Sequence, residues 1–338
     1  MKILSAAWTI YDSRIEGFQT NCTGGGLVIK NICEYVGRKE ESYLIIGSKE
    51  LEKTKIGNIN IVDTKKIYDA MEGNHLEKMS FAFIEALKVI KPDIVNCHGT
   101  GDFIESCIKI CKKKSIPVVY TEHLYIGQEE EIPGYERAKK WAKRIYEIDD
   151  LDIVIVSSGI KEKILRDYPT IQDRRIYLIK NGTDFTGEIV AYDDVGKKKN
   201  KKILLCVGTL LHRKNQLQIV DVFKKMHDSL KEKIEVIFCG KDNMNGELQK
   251  QIIENNFENC LRYVGALSSE EMKRYYSKAD GMILPSKAEG LSIAMLESMT
   301  YGLPLIMFSD SECSTDLNDN KVVCFSNGRD DESLLDAI

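Results

Sequence analysis

The sequence contains no long hydrophobic segment and no recognisable leader. Nothing in it approaches the roughly 20 consecutive apolar residues that a membrane-spanning helix needs. The apolar start, MKILSAAWTI, is short and leads into polar sequence, unlike a signal peptide. These absences predict a cytoplasmic protein. They are also compatible with a protein that binds peripherally to the inner face of the membrane.

Patterns that mark zinc sites, disulfide frameworks or nucleic-acid binding are also absent. The ten cysteines are scattered and form no CxxC pair, and no Cys/His group has zinc spacing. We therefore expect reduced and mostly buried thiols. The 48 basic and 52 acidic residues give a net charge of −4, whereas a nucleic-acid-binding protein is usually basic.

Short apolar runs alternate with longer amphipathic ones along all 338 residues, a length sufficient for two domains. Predicted strands cover residues 2–7, 42–46, 59–62, 94–97, 118–121, 153–157, 176–179, 203–207, 235–239, 261–264, 281–284 and 304–308. Predicted helices cover residues 27–36, 76–90, 103–114, 134–147, 216–229, 246–255, 269–277 and 293–300. This alternation predicts an α/β fold with two doubly wound, Rossmann-like domains facing each other across a cleft.

The predicted boundary follows the turn-forming residues 181–184, which gives an N-terminal acceptor-side domain over 1–185 and a donor-binding domain over 186–338. The lysine-rich run 196–202 is expected to be a solvated linker or loop. A last helix begins near Asp331 and stops after about two turns, so we expect the natural protein to continue.

The most informative segment is residues 285–304, PSKAEGLSIAMLESMTYGLP, which follows a predicted strand. Ser292 is a suitable helix N-cap, which places Glu289 in the loop before the helix and Glu297 in its second turn. The helix N-terminus between the two carboxylates is suited to an anion. The predicted buried stripe of the helix comprises Ile293, Leu296 and Met299 or Thr300.

This segment resembles the signature of the family 4 glycosyltransferases, PSxxEGFGLxxLEAMAxGxP, in which two glutamates are separated by seven residues. The resemblance extends to residues 154–158, 181–184, 206–216, 238–241 and 263–267. It implies the GT-B architecture and a retaining transfer of a hexosyl unit from a nucleoside-diphosphate sugar to a hydroxyl acceptor.

The resemblance also implies roles for individual residues. Glu297 would hold the ribose, Glu289 the transferred sugar, and Lys214 the phosphates, whose growing charge a fixed cation stabilises. Thr209 stands where the family usually has arginine, and Arg213 is the residue that could supply that charge. Other donor-binding candidates are the backbone groups of Gly290, Leu291 and Ser292, and the pocket near Gly240 and Gly265–Leu267.

In the first domain, Gly25 and Gly26 belong to a glycine-rich stretch that opens a helix after residue 23. It is read either as a tight turn or as a loop whose backbone approaches the donor phosphate or the acceptor. His123 and His98 each follow a predicted strand. The resemblance favours His123 as the residue that faces the donor sugar, with His98 as second choice.

The basic stretch 137–146 carries interleaved aromatic residues. It is compatible with contact to anionic lipid and equally with an ordinary amphipathic helix that has a lysine-rich outer face. The acidic residues 129–131 beside it weaken the lipid interpretation.

The predicted partners are therefore a nucleotide-sugar donor and a sugar or lipid-linked acceptor. No cofactor is expected, and no DxD-like motif lies in a suitable loop, so the sequence predicts a metal-independent enzyme. Family analogy points to bacterial polysaccharide or glycolipid synthesis. Two alternatives stay open: a sugar-nucleotide epimerase of the same architecture, and a non-catalytic sugar-nucleotide-binding subunit of a glycosylation complex.

Overall fold

A computed structural model describes residues 1–10, 24–128, 131–185, 187, 201–317 and 322–338 of the chain. The chain divides into two compact units, Met1–Lys180 and Asn181–Ile338, whereas the sequence predicts a boundary after residue 185. Residue 23 of the glycine-rich stretch, residues 129 and 130 of the acidic run, and residues 196–200 of the lysine-rich run lie outside the described residues.

Unit 1 contains a sheet of eight strands within its described residues. In chain order they are β1 (Lys2–Ala7), β2 (Glu41–Ile46), β3 (Thr54–Ile56), β4 (Ile59–Ile61), β5 (Ile94–His98), β6 (Val118–Glu122), β7 (Asp152–Ile155) and β8 (Ile176–Leu178). Their spatial order is β3-β4-β2-β1-β5-β6-β7-β8, and all neighbours run parallel except β3 and β4.

The helices of unit 1 are α1 (Gly24–Val36), α2 (Lys65–Ala70), α3 (His75–Ile90), α4 (Asp102–Lys113), α5 (Glu136–Tyr146) and α6 (Ser158–Asp167). Helix α3 begins where Asn74 and Glu77 form a reciprocal capping box. Helix α4 buries one face at helical spacing, through Phe103, Ile104, Cys107, Ile108 and Cys111.

Unit 2 contains a parallel sheet of six strands in the order β11-β10-β9-β12-β13-β14, counted over its described residues. The strands are β9 (Lys202–Val207), β10 (Ile234–Cys239), β11 (Leu261–Gly265), β12 (Gly281–Leu284), β13 (Leu305–Phe308) and β14 (Val323–Ser326). The helices are α7 (Leu217–Lys225), α8 (Asp228–Lys231), α9 (Glu247–Glu254), α10 (Ser269–Lys278), α11 (Ile293–Thr300) and α12 (Asp331–Ala337).

Strand β9 shows why the sheet of unit 2 has a core on each face. Leu204 and Cys206 join one cluster with α7, and Ile203 and Leu205 join another with α10. Successive side chains of a strand point to opposite faces, so a continuous apolar run such as this one needs cover on both sides. The α/β class predicted from the alternation is confirmed.

Several elements differ from the sequence prediction. Strands β3 and β14 and helices α2 and α6 were not predicted; each is short or carries a weak apolar pattern. The predicted helix over 216–229 is wrong in its last part, because the chain becomes extended at Met226. The imidazole of His227 then accepts a hydrogen bond from the Ser229 amide and caps a separate short helix, α8.

Candidate functional site

Three glycines lie side by side at the carboxyl ends of β9, β10 and β11. The amide of Gly240 donates to the carbonyl oxygen of Gly265 at 2.7 Å, and a Cβ atom on Gly240 would lie 2.1 Å from the carbonyl oxygen of Gly208. A side chain there would collide with the neighbouring backbone. Gly265 is a predicted site residue and Gly240 belongs to the same predicted pocket; Gly208 was not predicted as a site residue, although it directly follows an apolar strand, which is the signal that could have identified it.

Beside this glycine row, Arg213 and Lys214 converge on Glu289. Lys214 Nζ lies 2.6 Å from Glu289 Oε2, and Arg213 Nη1 lies 3.1 Å from the same oxygen. The three side chains are only 11–12% exposed. The carbons of the Lys214 side chain run along Gly208, 3.4–3.7 Å from where a Cβ atom would stand. The structure thus brings two adjacent predicted site residues together with a third that lies some 75 positions further along the chain.

Electrostatics hold Glu289 in its ionised form. Burial alone would raise its pKa, but the charges of Lys214 and Arg213 outweigh burial and lower the pKa to about 2. Burial lowers the pKa of Lys214, against the opposing effect of Glu289. The arrangement is a buried carboxylate between two cations, in which each charge depends on the others.

The loop that carries Glu289 is fixed by contacts that the sequence did not suggest. The Glu289 amide donates to Glu312 Oε2 at 2.8 Å, and Glu312 is itself buried. Arg329 donates to the carbonyl oxygen of Lys287 at 2.8 Å and to Asp310 at 2.7 Å. These partners lie beyond the motif, at positions with no local signal, so only the fold identifies them.

Helix α11 begins at Ile293, directly after Ser292 as predicted, but the Ser292 side chain makes no capping hydrogen bond. The amides of its first turn lack intrahelical partners, and are therefore open to another acceptor. Gly290, Leu291 and Ser292 are buried in the loop that enters the helix, where the carbonyl oxygen of Leu291 accepts from Asn181 at 2.9 Å.

The predicted buried stripe of α11 is wrong. The buried residues are Met295 and Ser298, whereas Ile293, Leu296 and Met299 are half-buried and Thr300 is exposed. The reason is that Ser298 Oγ donates to the carbonyl oxygen of Met295 at 2.8 Å. With its hydroxyl satisfied inside the helix, the small serine packs inward, which hydrophobic spacing alone does not anticipate.

Glu297 lies on α11 and accepts a hydrogen bond from Tyr276 Oη at 3.0 Å. Burial raises the pKa of its carboxyl to about 7, against the opposing effect of the Tyr276 hydrogen bond. Tyr276 stacks on Tyr301, with ring centroids 5.6 Å apart, and contacts the edge of Phe185. The carboxyl group of Glu297 is therefore positioned by a cluster of aromatic side chains, and its charge changes near neutral pH.

Thr209, the residue in place of the usual arginine, is half-buried directly after Gly208. Its carbonyl oxygen accepts from Gln216 Nε2 at 3.1 Å. Arg213 does not point to solvent: besides Glu289, it donates to the carbonyl oxygen of Ala288. The Arg213 guanidinium is therefore held against the loop that carries Glu289.

In unit 1, the two histidine candidates form a pair. His98 Nδ1 and His123 Nε2 lie 3.2 Å apart, and the rings stack with centroids 5.4 Å apart. Burial lowers the pKa of both, that of His123 to about 4 and that of His98 well below its usual range, where His123 adds to the effect. Both rings are thus neutral at physiological pH, and the N–H of one ring donates a hydrogen bond to the ring nitrogen of the other.

Directly before His123 lies Glu122, a buried carboxyl that the sequence did not single out. Its Oε2 accepts from Tyr120 Oη at 2.5 Å and from Tyr146 Oη at 3.0 Å. Burial raises its pKa to about 7, against the opposing effect of these hydroxyls. A signal was available, since Glu122 ends the same strand that His123 follows.

Gly25 and Gly26 lie in the first turn of α1 rather than in a loop. These two residues are therefore helical, and the approach of their backbone to the donor phosphate or the acceptor stays a prediction. Glycine is a poor helix former, which is why the sequence favoured a loop. The first turn of a helix tolerates them because its amides have no intrahelical partners to lose.

In the described ranges, no helix is long and apolar enough to cross a membrane. Within the same part of the chain, no group of three or more His, Cys, Asp or Glu side chains is arranged to hold a metal ion. Metal independence stays a prediction.

The chain has two parallel α/β units and a charged cluster where a strand, a loop and a helix meet. Comparison with known proteins shows the class of protein to which it belongs. Residues 24–186 match the family described as Glycosyltransferase Family 4, and residues 191–338 match Glycosyl transferases group 1. The solved structure of sucrose-phosphate synthase from Thermosynechococcus elongatus aligns with a TM-score of 0.81, at 13% identity, over 100% of this chain and 88% of that one. The fold is thus that of the GT-B glycosyltransferases.

Two curated relatives illustrate the range of similarity. An uncharacterised glycosyltransferase of Methanocaldococcus jannaschii is 21% identical over 91% of this chain and 80% of its own length. The GalNAc-alpha-(1->4)-GalNAc-alpha-(1->3)-diNAcBac-PP-undecaprenol alpha-1,4-N-acetyl-D-galactosaminyltransferase of Campylobacter jejuni is 26% identical over 76% of this chain and 67% of its own length. The chain belongs to the family 4 glycosyltransferases.

Proposed function

We propose that this glycosyltransferase moves a hexosyl unit from a nucleoside-diphosphate sugar to a hydroxyl acceptor with retention of the anomeric configuration. The observation that carries the proposal is the convergence of Arg213 and Lys214 on Glu289, beside the N-terminus of α11. Cations and open backbone amides at one edge of a parallel sheet suit a diphosphate, whose negative charge grows as the glycosidic bond breaks.

In the proposed reaction each of these residues has its own role. Lys214 and Arg213 stabilise the leaving diphosphate, and the first-turn amides of α11 add hydrogen bonds to it. Glu289, kept ionised by the same cations, accepts hydrogen bonds from hydroxyls of the transferred sugar, and Glu297 accepts those of the ribose. In unit 1, the neutral His123 contacts the transferred sugar.

Retention follows from front-face attack, in which the acceptor hydroxyl enters on the side that the diphosphate leaves. The leaving phosphate takes the acceptor proton, so no covalent carboxylate is needed, and Glu289 with Glu297 is not a glycosidase pair. The protein positions the reactants and supplies fixed charges.

The reaction needs no metal ion in this scheme. The acceptor is a saccharide or lipid-linked saccharide of a polysaccharide pathway, as the name of the Campylobacter relative suggests.

The test is a donor screen followed by a transfer assay. Nucleotide sugars are ranked by the rise in melting temperature, since a ligand that binds only the folded state stabilises it. The best donor is then incubated with saccharide acceptors, with chelator present, and the anomeric configuration of the product is read by NMR. Transfer with retention supports the proposal. Donor binding without transfer would favour a binding subunit, and free epimerised donor would favour an epimerase.

A further inference from the structure

The loop between β12 and α11 carries Glu289, and on one side its backbone is held by Arg213. The Lys287 amide donates to the carbonyl oxygen of Arg213 at 2.8 Å, and the Arg213 guanidinium donates to the carbonyl oxygen of Ala288. The same guanidinium binds the Glu289 carboxylate. On this side, one arginine therefore sets both the backbone of the loop and the side chain that the loop presents.

The other side of the loop is held by Glu312, which lies in the segment that follows β13. The Glu289 amide donates to Glu312 Oε2 at 2.8 Å, and Glu312 is only 2% exposed. A buried amide and a buried carboxyl group are each unfavourable without a hydrogen-bond partner. Because each group supplies the partner of the other, the bond fixes the Glu289 peptide in one orientation.

This backbone contact determines where the Glu289 carboxylate stands relative to the two cations. Lys214 Nζ and Arg213 Nη1 meet Glu289 Oε2 at 2.6 and 3.1 Å, and both residues belong to a different loop, after β9. Without the Glu312 acceptor, the Glu289 peptide would turn to find another partner, and its side chain would move away from the cations. A displacement of about 1 Å at a reacting centre can lower the rate roughly 100-fold.

Arg329 joins the same two segments at a second point. It donates to the carbonyl oxygen of Lys287 at 2.8 Å and to Asp310 at 2.7 Å, so it ties the loop to the segment that follows β13. Arg329 acts two residues before Glu289, whereas Glu312 binds Glu289 itself. The segment after β13 therefore supports the loop, and Glu312 is the part of it that binds the residue carrying the carboxylate.

We propose that Glu312 is a positioning residue for sugar transfer: by holding the Glu289 backbone, it keeps the Glu289 carboxylate where it meets the donor sugar. Glu312 acts through Glu289 and does not touch the substrate. The proposal rests on the proposed function, which assigns Glu289 to the transferred sugar. It adds that the segment after β13 controls the sugar end of the donor, while the diphosphate stays with Lys214 and the first turn of α11.

Three single variants and one control test this role. Glu312→Ala removes the acceptor of the Glu289 amide, whereas Glu312→Gln keeps an oxygen atom that accepts the same hydrogen bond. Glu312→Asp shortens the side chain by one carbon and draws the carboxyl group away from the amide. The matched control is Glu235→Ala: Glu235 is also a buried carboxyl of unit 2, but it lies near the amino end of β10 and pairs with Arg262 at 2.9 Å.

Transfer kinetics give the first result, with whichever of UDP-glucose, UDP-galactose, UDP-N-acetylglucosamine and GDP-mannose raises the melting temperature most. Glu312→Ala should lower kcat by roughly 10- to 100-fold, the size expected for a displaced group at the reacting centre. Glu312→Gln should recover kcat to within about threefold of wild type, because its amide oxygen restores the hydrogen bond. Glu235→Ala should keep the wild-type kcat, since it leaves the loop untouched.

A double variant separates action through Glu289 from any other effect. Because Glu312 acts only through Glu289, Glu312→Ala combined with Glu289→Gln should have the kcat of Glu289→Gln alone, within about threefold. Wild-type kcat in Glu312→Ala, an equally low kcat in Glu312→Gln, or losses that multiply in the double variant would overturn the proposal. If circular dichroism shows that Glu312→Ala does not fold, Glu312→Asp takes its place; a lowered kcat is then expected, and wild-type kcat overturns the proposal.

Calorimetry separates this proposal from the proposed function. Glu312→Ala should bind the nucleoside diphosphate within about twofold of wild type and the nucleotide sugar at least about threefold more weakly, because only the sugar depends on Glu289. This binding pattern in a chain that transfers nothing would refute the proposed function and retain the positioning role. If the variant loses both ligands equally while the wild type transfers sugar, the positioning role is refuted and the proposed function stands. A wild-type chain that binds no nucleotide sugar would refute both.

Discussion

Replacing Lys214 with methionine tests the charged cluster most directly. Methionine matches the length of the lysine stem along Gly208 and removes the ammonium group, with its charge and its hydrogen bond to Glu289. The pKa of Glu289 is about 2 against an ordinary 4.5, and at 1.36 kcal/mol per unit this corresponds to roughly 3 kcal/mol in favour of the carboxylate. Removing one partner of a buried ion pair costs about 3–5 kcal/mol, which is of the same size.

We therefore expect Lys214→Met to lower the free energy of unfolding by about 3 kcal/mol at pH 7. The measurement is urea denaturation followed by far-UV circular dichroism. Lys224→Met is the matched control, because Lys224 pairs with Asp221 at 2.8 Å but both side chains are 41–50% exposed. That exposed pair should contribute less than about 1 kcal/mol.

The pH dependence has a definite sign. A carboxyl group whose pKa is lowered by folding stabilises the protein above its unfolded pKa, and this contribution is lost as the pH falls. The difference between wild type and Lys214→Met should therefore be full above pH 4.5 and shrink between about 4.5 and 2. The double variant with Glu289→Gln should cost less than the sum of the single variants, by at least about 1 kcal/mol. If Lys214→Met costs no more than Lys224→Met, or if the double variant is additive, the buried pair is refuted.

The remaining predictions concern Glu297 and the glycine row. Because its pKa is about 7, Glu297 ionises between pH 6 and 8. Donor affinity, measured by calorimetry, should therefore rise several-fold over that range in the wild type and stay constant in Glu297→Gln. A pH dependence of donor affinity that survives in the variant contradicts the assigned role. Gly240→Ala should lower the free energy of unfolding by about 2 kcal/mol or more, because its Cβ atom would lie 2.1 Å from the Gly208 carbonyl oxygen. Gly182→Ala is the control: a Cβ atom there has nothing within 4 Å, so the free energy of unfolding should change little in the same denaturation assay. Equal effects of the two alanines would rule out the close approach.

The pattern of elements was largely readable from the sequence. Strands such as β9 and β12 are short continuous apolar runs between turn residues. A run of this kind can be recognised from a few neighbouring residues, without knowledge of the rest of the fold. Elements without strong local pattern were missed, among them β3 and β14, whose pairing with a neighbouring strand gives them their structure. Tertiary contacts override propensity where the local signal is weak.

For the site, the sequence alone determined the residue types and their order: a strand, the loop with Glu289, the helix with Glu297, and the basic pair at 213 and 214. Those features lie within short segments, where spacing carries the information. The tertiary structure decided that Lys214 and Arg213 share one oxygen of Glu289, and that Tyr276 supports Glu297. It also showed that the carboxyl group of Glu122, beside His123, is buried, because burial and contacts between distant segments set a side chain's charge, and neither is written in local sequence.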